Sequence, residues 1–335
     1  WPVNQWELLQ SRLRSARYLF YREPSEAVAG AREVQVHFVM LAGIAGMRAA
    51  VLSLFVLALL SHHNHCFVTP LEGLSERGRA VLSMKAKDNS VDPKIFDRWH
   101  DTVLATLRTA DPLQPFEIEP EFRSASAVLG GSAGVEDESR MLSLSVTAYR
   151  GQKIDYARLV RISGAGFNVF NFVALPNPAF DLPVFGVDVV VMAGNTLASI
   201  DFQPLGQGEA YLNGPLYAPF SSRLGKWGAA LPKGRPLPED MQPYFSPLAL
   251  WTQFPPQDTA ASLFLLGGAL SEYAKCYAEL LGKSEWGDEG ERRTSKAQYL
   301  QFRTDRDPAR RVLAGAFGAA WTERLLSEAV FPQSL

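Results

Sequence analysis

An α+β fold built on an antiparallel sheet is predicted by three observations on the sequence. Strand-like runs follow one another between residues 141 and 202 with no helical stretch between them, their links are short and turn-rich, and apart from one stretch at 93–107 the helical periodicity is gathered from residue 260 onward. Consecutive strands with short connections favour antiparallel pairing. Strands first and helices later is the order of an α+β sandwich in one domain.

Each element has its own warrant. Residues 93–107 repeat apolar positions at helical spacing and stop at Asp111-Pro112. Residues 124–139, rich in Gly, Ser and acids, read as a loop. The strand runs are 141–149, 156–162, 168–174, 184–192 and 197–202, with turns at Gly164-Ala165-Gly166 and Ala193-Gly194-Asn195. Residues 205–246 carry many Gly and Pro and allow short helical pieces at most. An extended segment at 247–254 then precedes helices at about 260–281, 293–306 and 308–330. No internal repeat is present.

Composition narrows the function. The chain has 335 residues, 47% of them hydrophobic, with 33 Lys and Arg against 35 Asp and Glu. The formal charge of −2 lacks the basic footprint of a general nucleic-acid binder. Two cysteines, Cys66 and Cys276, exclude a disulfide framework, and Cys276 sits in an amphipathic helical stretch as a core residue would. No phosphate-binding loop or dinucleotide fingerprint occurs, because Gly164-Ala165-Gly166 lacks both the third glycine and the following helix. A redox role would therefore draw its electrons from a partner.

The N-terminal part is expected to be a leader. Met47 precedes the apolar run 51–60, which has the length of a signal-peptide core and is shorter than a membrane span. Residues 47–87 are read as a signal and plastid-targeting leader and 1–46 as an upstream extension, with the catalytic domain at 88–333. A transmembrane anchor over 36–60 is the competing reading. Cys66-Phe67-Val68-Thr69-Pro70 and the Ser, Arg and Lys residues up to Lys87 resemble the bipartite leaders of algae with secondary plastids, which implies a plastid location. His62, His63, His65 and Cys66 crowd too closely for a structural zinc site, so no metal is expected. Beyond them His100 is the sole imidazole, and proton transfer falls to carboxylates, tyrosines or water.

Three polar positions stand in apolar company. Asp188 interrupts the valine-rich run 184–191, where an unpaired carboxylate costs several kcal/mol as the ion and tends to hold its proton. A neutral acid at neutral pH is a proton donor. Asn171 lies between Phe170 and Phe172, and faces the same pocket as Asp188 if the two strands are neighbours; equally, it satisfies a strand irregularity, or Asp188 pairs with an arginine. Asp307 precedes Pro308 as a helix N-cap does. Tyr299, Arg303 and Asp307 recur every four residues, which puts them on one helical face able to hold an anionic ligand, or else a solvated salt-bridge face.

The segments 168–176, 180–188, 200–205, 244–252, 299–311 and 317–324 resemble, in order, the ferredoxin-dependent bilin reductases. The resemblance covers about 142–331 and implies a three-layer α/β/α sandwich with a central antiparallel sheet. It further implies a linear tetrapyrrole between sheet and C-terminal helices, and radical chemistry driven by single electrons from reduced [2Fe-2S] ferredoxin, with no cofactor bound by the enzyme. Asp188 matches the family's strand aspartate and Asp307 its C-terminal aspartate, both implied proton donors. Asn171 departs from the His of the phycocyanobilin-forming branch and looks like the phycoerythrobilin branches.

Trp251 and the run Arg306-Asp307-Pro308-Ala309-Arg310 are most similar to members that reduce biliverdin IXα at C15–C16 to 15,16-dihydrobiliverdin. The runs 201–205 and 209–212 are similar to members that carry this product on to phycoerythrobilin, the alternative expectation; a non-catalytic bilin carrier or lyase-like protein, or a relative acting on red chlorophyll catabolite, are the others. Arg161 and Arg303 are expected to hold the propionates, Asn171, Trp251 and Tyr299 to line the substrate, and Arg306, Arg310 and Arg311 to dock ferredoxin. A following bilin reductase is an expected partner.

Overall fold

Side-chain alternation sorts the sheet into two unlike faces, and that sorting positions the site. The computed structural model describes residues 94–129 and 140–334, apart from 165, 193–194, 207, 238, 256–257 and 288. The expected extension, leader, histidine cluster and most of the 124–139 loop lie outside these residues.

Among the described residues eight strands pair antiparallel: β1 (Gln114–Phe116), β2 (Ser124–Val128), β3 (Met141–Arg150), β4 (Ile154–Gly164), β5 (Phe167–Pro176), β6 (Val184–Met192), β7 (Asn195–Gln203) and β8 (Leu250–Phe254). From β3 to β8 they form a meander in chain order, while β1 and β2 share the outer edge of β3. The helices are α1 (Ile95–Arg108), α2 (Pro120–Arg123), α3 (Glu209–Leu212), α4 (Ser221–Ala230), α5 (Thr259–Lys283), α6 (Gly290–Asp305), α7 (Arg310–Phe317) and α8 (Ala319–Arg324), followed by a π-helical turn, Leu325–Val330.

One face of the sheet is closed by α1, α4 and α5. Leu159, Phe170, Phe172, Phe185, Val187, Val189, Ile200 and Phe202 point into it and meet Trp99, Val103, Leu270, Tyr273 and Tyr277. Cys276 belongs to this core, fully buried, and burial pushes its thiol up to about 11.

The other face holds a second core, in which Leu144, Tyr156, Val160, Val173, Leu175 and Val184 pack under Tyr299, Leu300, Leu313, Leu326 and Phe331. Polar pins fix this layer: Lys296 Nζ meets Asp155 Oδ2 at 2.7 Å, and the Tyr156 hydroxyl donates to the Ala329 carbonyl at 2.6 Å. The architecture is thus an antiparallel sheet with helices packed on both faces.

Three expectations for the elements are corrected. Residues 124–128 form β2, because their small side chains let the chain lie along Met141–Ser145 of β3. The Gly/Pro-rich region contains the ten-residue helix α4, whose Leu224 and Trp227 pack into the first core despite Gly225 and Gly228. The helix expected over 308–330 is broken at Gly318, whose φ of 91° lies where a side chain would be strained.

Candidate active site

Pairing register sets the site on the second face. Asn171 of β5 lies opposite Asp188 of β6, Asp188 opposite Ser199 of β7, and Ser199 opposite Trp251 of β8. Residues directly opposite share a face, so these four side chains form one row across four strands. The next row holds Arg158, Val173, Gly186 and Asp201, and the one after it Tyr156, Leu175, Val184 and Gln203.

Cover differs along these rows. Arg158, Tyr156, Asp201 and Gln203 are buried under the helical layer. Asn171, Asp188 and Trp251 are half-buried, as are Val169, Val190 and Leu197 beyond them. This second part is a partly open floor of apolar side chains with an amide, a carboxyl and an indole set into it.

A hydrogen-bonded chain runs into the floor. Arg158 Nη1 donates to the Asn171 main-chain oxygen at 2.9 Å and also to Asn171 Oδ1, while Asn171 Nδ2 donates to Asp188 Oδ1 at 2.9 Å. Arg158 is fully buried, with Nε on the Val330 carbonyl at 3.0 Å. Burial pushes its pKa down to about 10, so it stays cationic at neutral pH.

The C-terminal layer supplies the opposite wall. Arg303, in the last turn of α6, lies 5.6 Å from the Phe331 ring centroid, and Arg158 lies 5.1 Å from the same ring. Asp307 follows in the link to α7, where Pro308 disfavours further helix. Its Oδ1 accepts the Ala309 N–H at 2.8 Å, but α7 begins only at Arg310 with Ala309 at its N-cap, so Asp307 is not the helix cap expected from Asp307-Pro308. Burial raises its pKa, opposed by Arg303 and the Ala309 bond and reinforced by the charge of Asp188. Asp307 therefore keeps its proton to higher pH than a free aspartate.

Tyr299 is fully buried and its hydroxyl donates to Gln203 Oε1. Gly186 leaves room for that carboxamide, since a Cβ there would stand 3.0 Å from it. Trp251 donates from Nε1 to the Arg235 carbonyl at 2.6 Å.

The structure brings together Asn171, Asp188, Asp307 and Arg303, with Trp251 in the same row and Tyr299 beneath. The expected helical face is shortened, because α6 ends at Asp305 and Asp307 stands beyond it. Arg161 does not join them. It lies opposite Phe170, points to the first face, and pairs with Asp97 at 2.6 Å. His100 is on that side too, with Nε2 3.2 Å from the Tyr149 hydroxyl. Of the arginines expected to dock ferredoxin, Arg306 pairs with Asp240 at 2.9 Å and Arg310 with Glu323.

Two further polar residues flank the site, Arg158 and Asp201. The sequence expectation places Arg161 at the substrate, yet counting out from the turn at Gly164 puts Val160 opposite Asn171 and so gives Arg158, not Arg161, the parity of the site. Asp201, unlike the half-buried Asp188, is completely buried, and accepts the Ser246 N–H at 2.9 Å and the Ser246 hydroxyl. Burial pushes the Asp201 carboxyl up to about 7.

A model of the family described as ferredoxin-dependent bilin reductase matches residues 100–332. The chain is 29% identical over 245 residues to the phycoerythrobilin:ferredoxin oxidoreductase of Nostoc punctiforme, an alignment spanning 72% of this chain and 94% of that one. Against the protein of the same name from Synechococcus sp. (strain CC9902) it is 31% identical over 228 residues, 65% of this chain and 88% of the other. The crystal structure of phytochromobilin synthase from tomato, in complex with biliverdin, has the same fold at a TM-score of 0.63 and 23% identity, covering 71% of this chain and 83% of that one.

Proposed function

The chain belongs to the ferredoxin-dependent bilin reductases, and we propose that it reduces 15,16-dihydrobiliverdin to phycoerythrobilin on the open floor of its sheet. The observation that carries this reading is the row Asn171, Asp188, Ser199 and Trp251, with Arg303 and Asp307 facing it. A linear tetrapyrrole has a long apolar ring system and two propionates. Val169, Val190, Leu197 and Trp251 match the rings, and Arg303 suits a propionate.

Reduction of one double bond consumes two electrons and two protons. Ferredoxin, the electron donor of this family, supplies the electrons one at a time, and a carboxyl beside the ring system supplies a proton after each. Asp188 is the donor on the sheet side and Asp307, with its raised pKa, the donor on the helix side. The domain acts in a plastid after loss of the leader at 47–87, a proposal that rests on the leader sequence alone.

Regiospecificity follows the relatives. The phycoerythrobilin:ferredoxin oxidoreductases favour the second step of the pathway, as do the runs Asp201-Phe202-Gln203-Pro204-Leu205 and Glu209-Ala210-Tyr211-Leu212. Reduction of biliverdin IXα to 15,16-dihydrobiliverdin, the expectation from Trp251 and 306–310, is the second reading. The test is anaerobic incubation with ferredoxin, ferredoxin reductase and NADPH, offering each bilin separately and separating products by chromatography. Phycoerythrobilin from 15,16-dihydrobiliverdin, with biliverdin unchanged, is the expected result. Dihydrobiliverdin from biliverdin would establish the second reading, and two unchanged bilins would overturn both.

A further inference from the structure

We propose that Arg158 is the positioning residue of the acid at Asp188: it locks the Asn171 carboxamide with its N–H toward the carboxyl, so the transferable proton rides on Asp188 Oδ2. The inference rests on the reading of Asp188 as a proton donor.

A carboxamide has an accepting end and a donating end, and its neighbours decide which way it turns. A guanidinium can only donate. Arg158 Nη1 engages both the Asn171 main-chain oxygen, at 2.9 Å, and Oδ1 of the side chain, which leaves Nδ2 to face Asp188 Oδ1 at 2.9 Å. The reversed amide would set its N–H against the guanidinium, a repulsion present in either protonation state of Asp188, and its oxygen against the carboxylate once the proton has left. A carboxyl oxygen that already accepts an N–H is the poorer place for a proton, so protonation goes to Oδ2. Without Arg158 the amide is free to turn, accept the Asp188 proton on Oδ1 and hold it away from the bilin.

The arginine itself is built in. It is 0% exposed, bonded through Nε to Val330 and packed on Phe331, and its Nη2 is buried with no partner among the described residues. A cation buried this deeply, with a donor unsatisfied, is a poor space-filler. The other charged and titratable groups around the pair are Tyr156 on β4, Asp201 on β7, Tyr299 and Arg303 on α6, and Asp307 in the α6–α7 link. Among the side chains of the described residues Arg158 alone donates to the Asn171 oxygens.

The test is the pH profile of ferredoxin-driven bilin reduction in Arg158→Gln, with folding checked by circular dichroism. Loss of the oriented N–H and of the cation should slow turnover at least tenfold at neutral pH. It should also move the high-pH limb upward by about one unit, the size of one lost charge-assisted bond. Arg158→Lys, which keeps the charge, should recover part of both. In an Asn171→Ala background, Arg158→Gln should add less than a twofold change. An unmoved limb in folded Arg158→Gln, or the full effect persisting without Asn171, would overturn the proposal. Should Arg158→Gln not fold, Asn171→Ala alone decides: the same upward displacement supports the relay and an unmoved limb refutes it. Asp188→Asn separates the two layers. If it turns over fully, the donor reading fails and the relay with it, whereas an inactive Asp188→Asn beside a normal profile in Arg158→Gln removes the relay only.

Discussion

The two faces of the sheet are made from the same strands and differ in what covers them. On the first face, Phe170, Phe172, Phe185 and Phe202 are fully buried under α1, α4 and α5. On the second, the helical layer buries Arg158, Tyr156, Asp201 and Gln203 and stops short of Asn171, Asp188, Val190 and Trp251. Stability is drawn from the closed face and the proposed chemistry from the open part of the other, with strand parity deciding which residue serves which.

Substitutions can break that division. Phe202→Ala, which removes a ring packed against Phe185, Phe220, Tyr273 and Tyr277, should cost about 3–5 kcal/mol in urea unfolding. Its remaining folded fraction should bind bilin normally, and a selective loss of binding would count against the division.

A buried carboxyl gives the next largest effect. The Asp201 pKa in the fold, about 7, is above its unfolded value, so the folded state binds the extra proton and its benefit is complete below about pH 4. That benefit should fall away as pH rises to 7, by on the order of a few kcal/mol, and be flat above. The difference in unfolding free energy between the wild type and Asp201→Asn should trace this decline; a constant difference from pH 4 to 8 would contradict it. The smallest effect is expected for Val190→Ala on the open floor: about 1 kcal/mol or less in stability, but bilin affinity weakened several-fold through lost apolar contact, on the order of 1 kcal/mol. Fluorescence titration with the bilin would read it.

Much of the fold was legible because strand runs such as 184–192 are rich in β-branched and aromatic residues and end at turn residues. β2 and α4 were not, since Ser-Ala-Ser-Ala reads as loop until β3 lies beside it, and two glycines hide the helical face of α4. Asp188, Asn171 and Asp307 were visible as polar residues in apolar or cap contexts. Arg158 and Arg161 look alike in sequence and differ only in parity, which a register count from Gly164 resolves. The burial of Asp201 depends on the Ser246 segment folding over it, a long-range contact that no local pattern announces.

The open floor is proposed to deliver a proton from Asp188, and removing that proton is the sharpest way to test it. Asp188→Asn, mixed anaerobically with bilin and reduced ferredoxin and followed by absorbance, should bind the bilin and accept an electron. Product formation should be slower by about 10²–10⁴-fold, as for loss of a general acid. Product at the wild-type rate would contradict it.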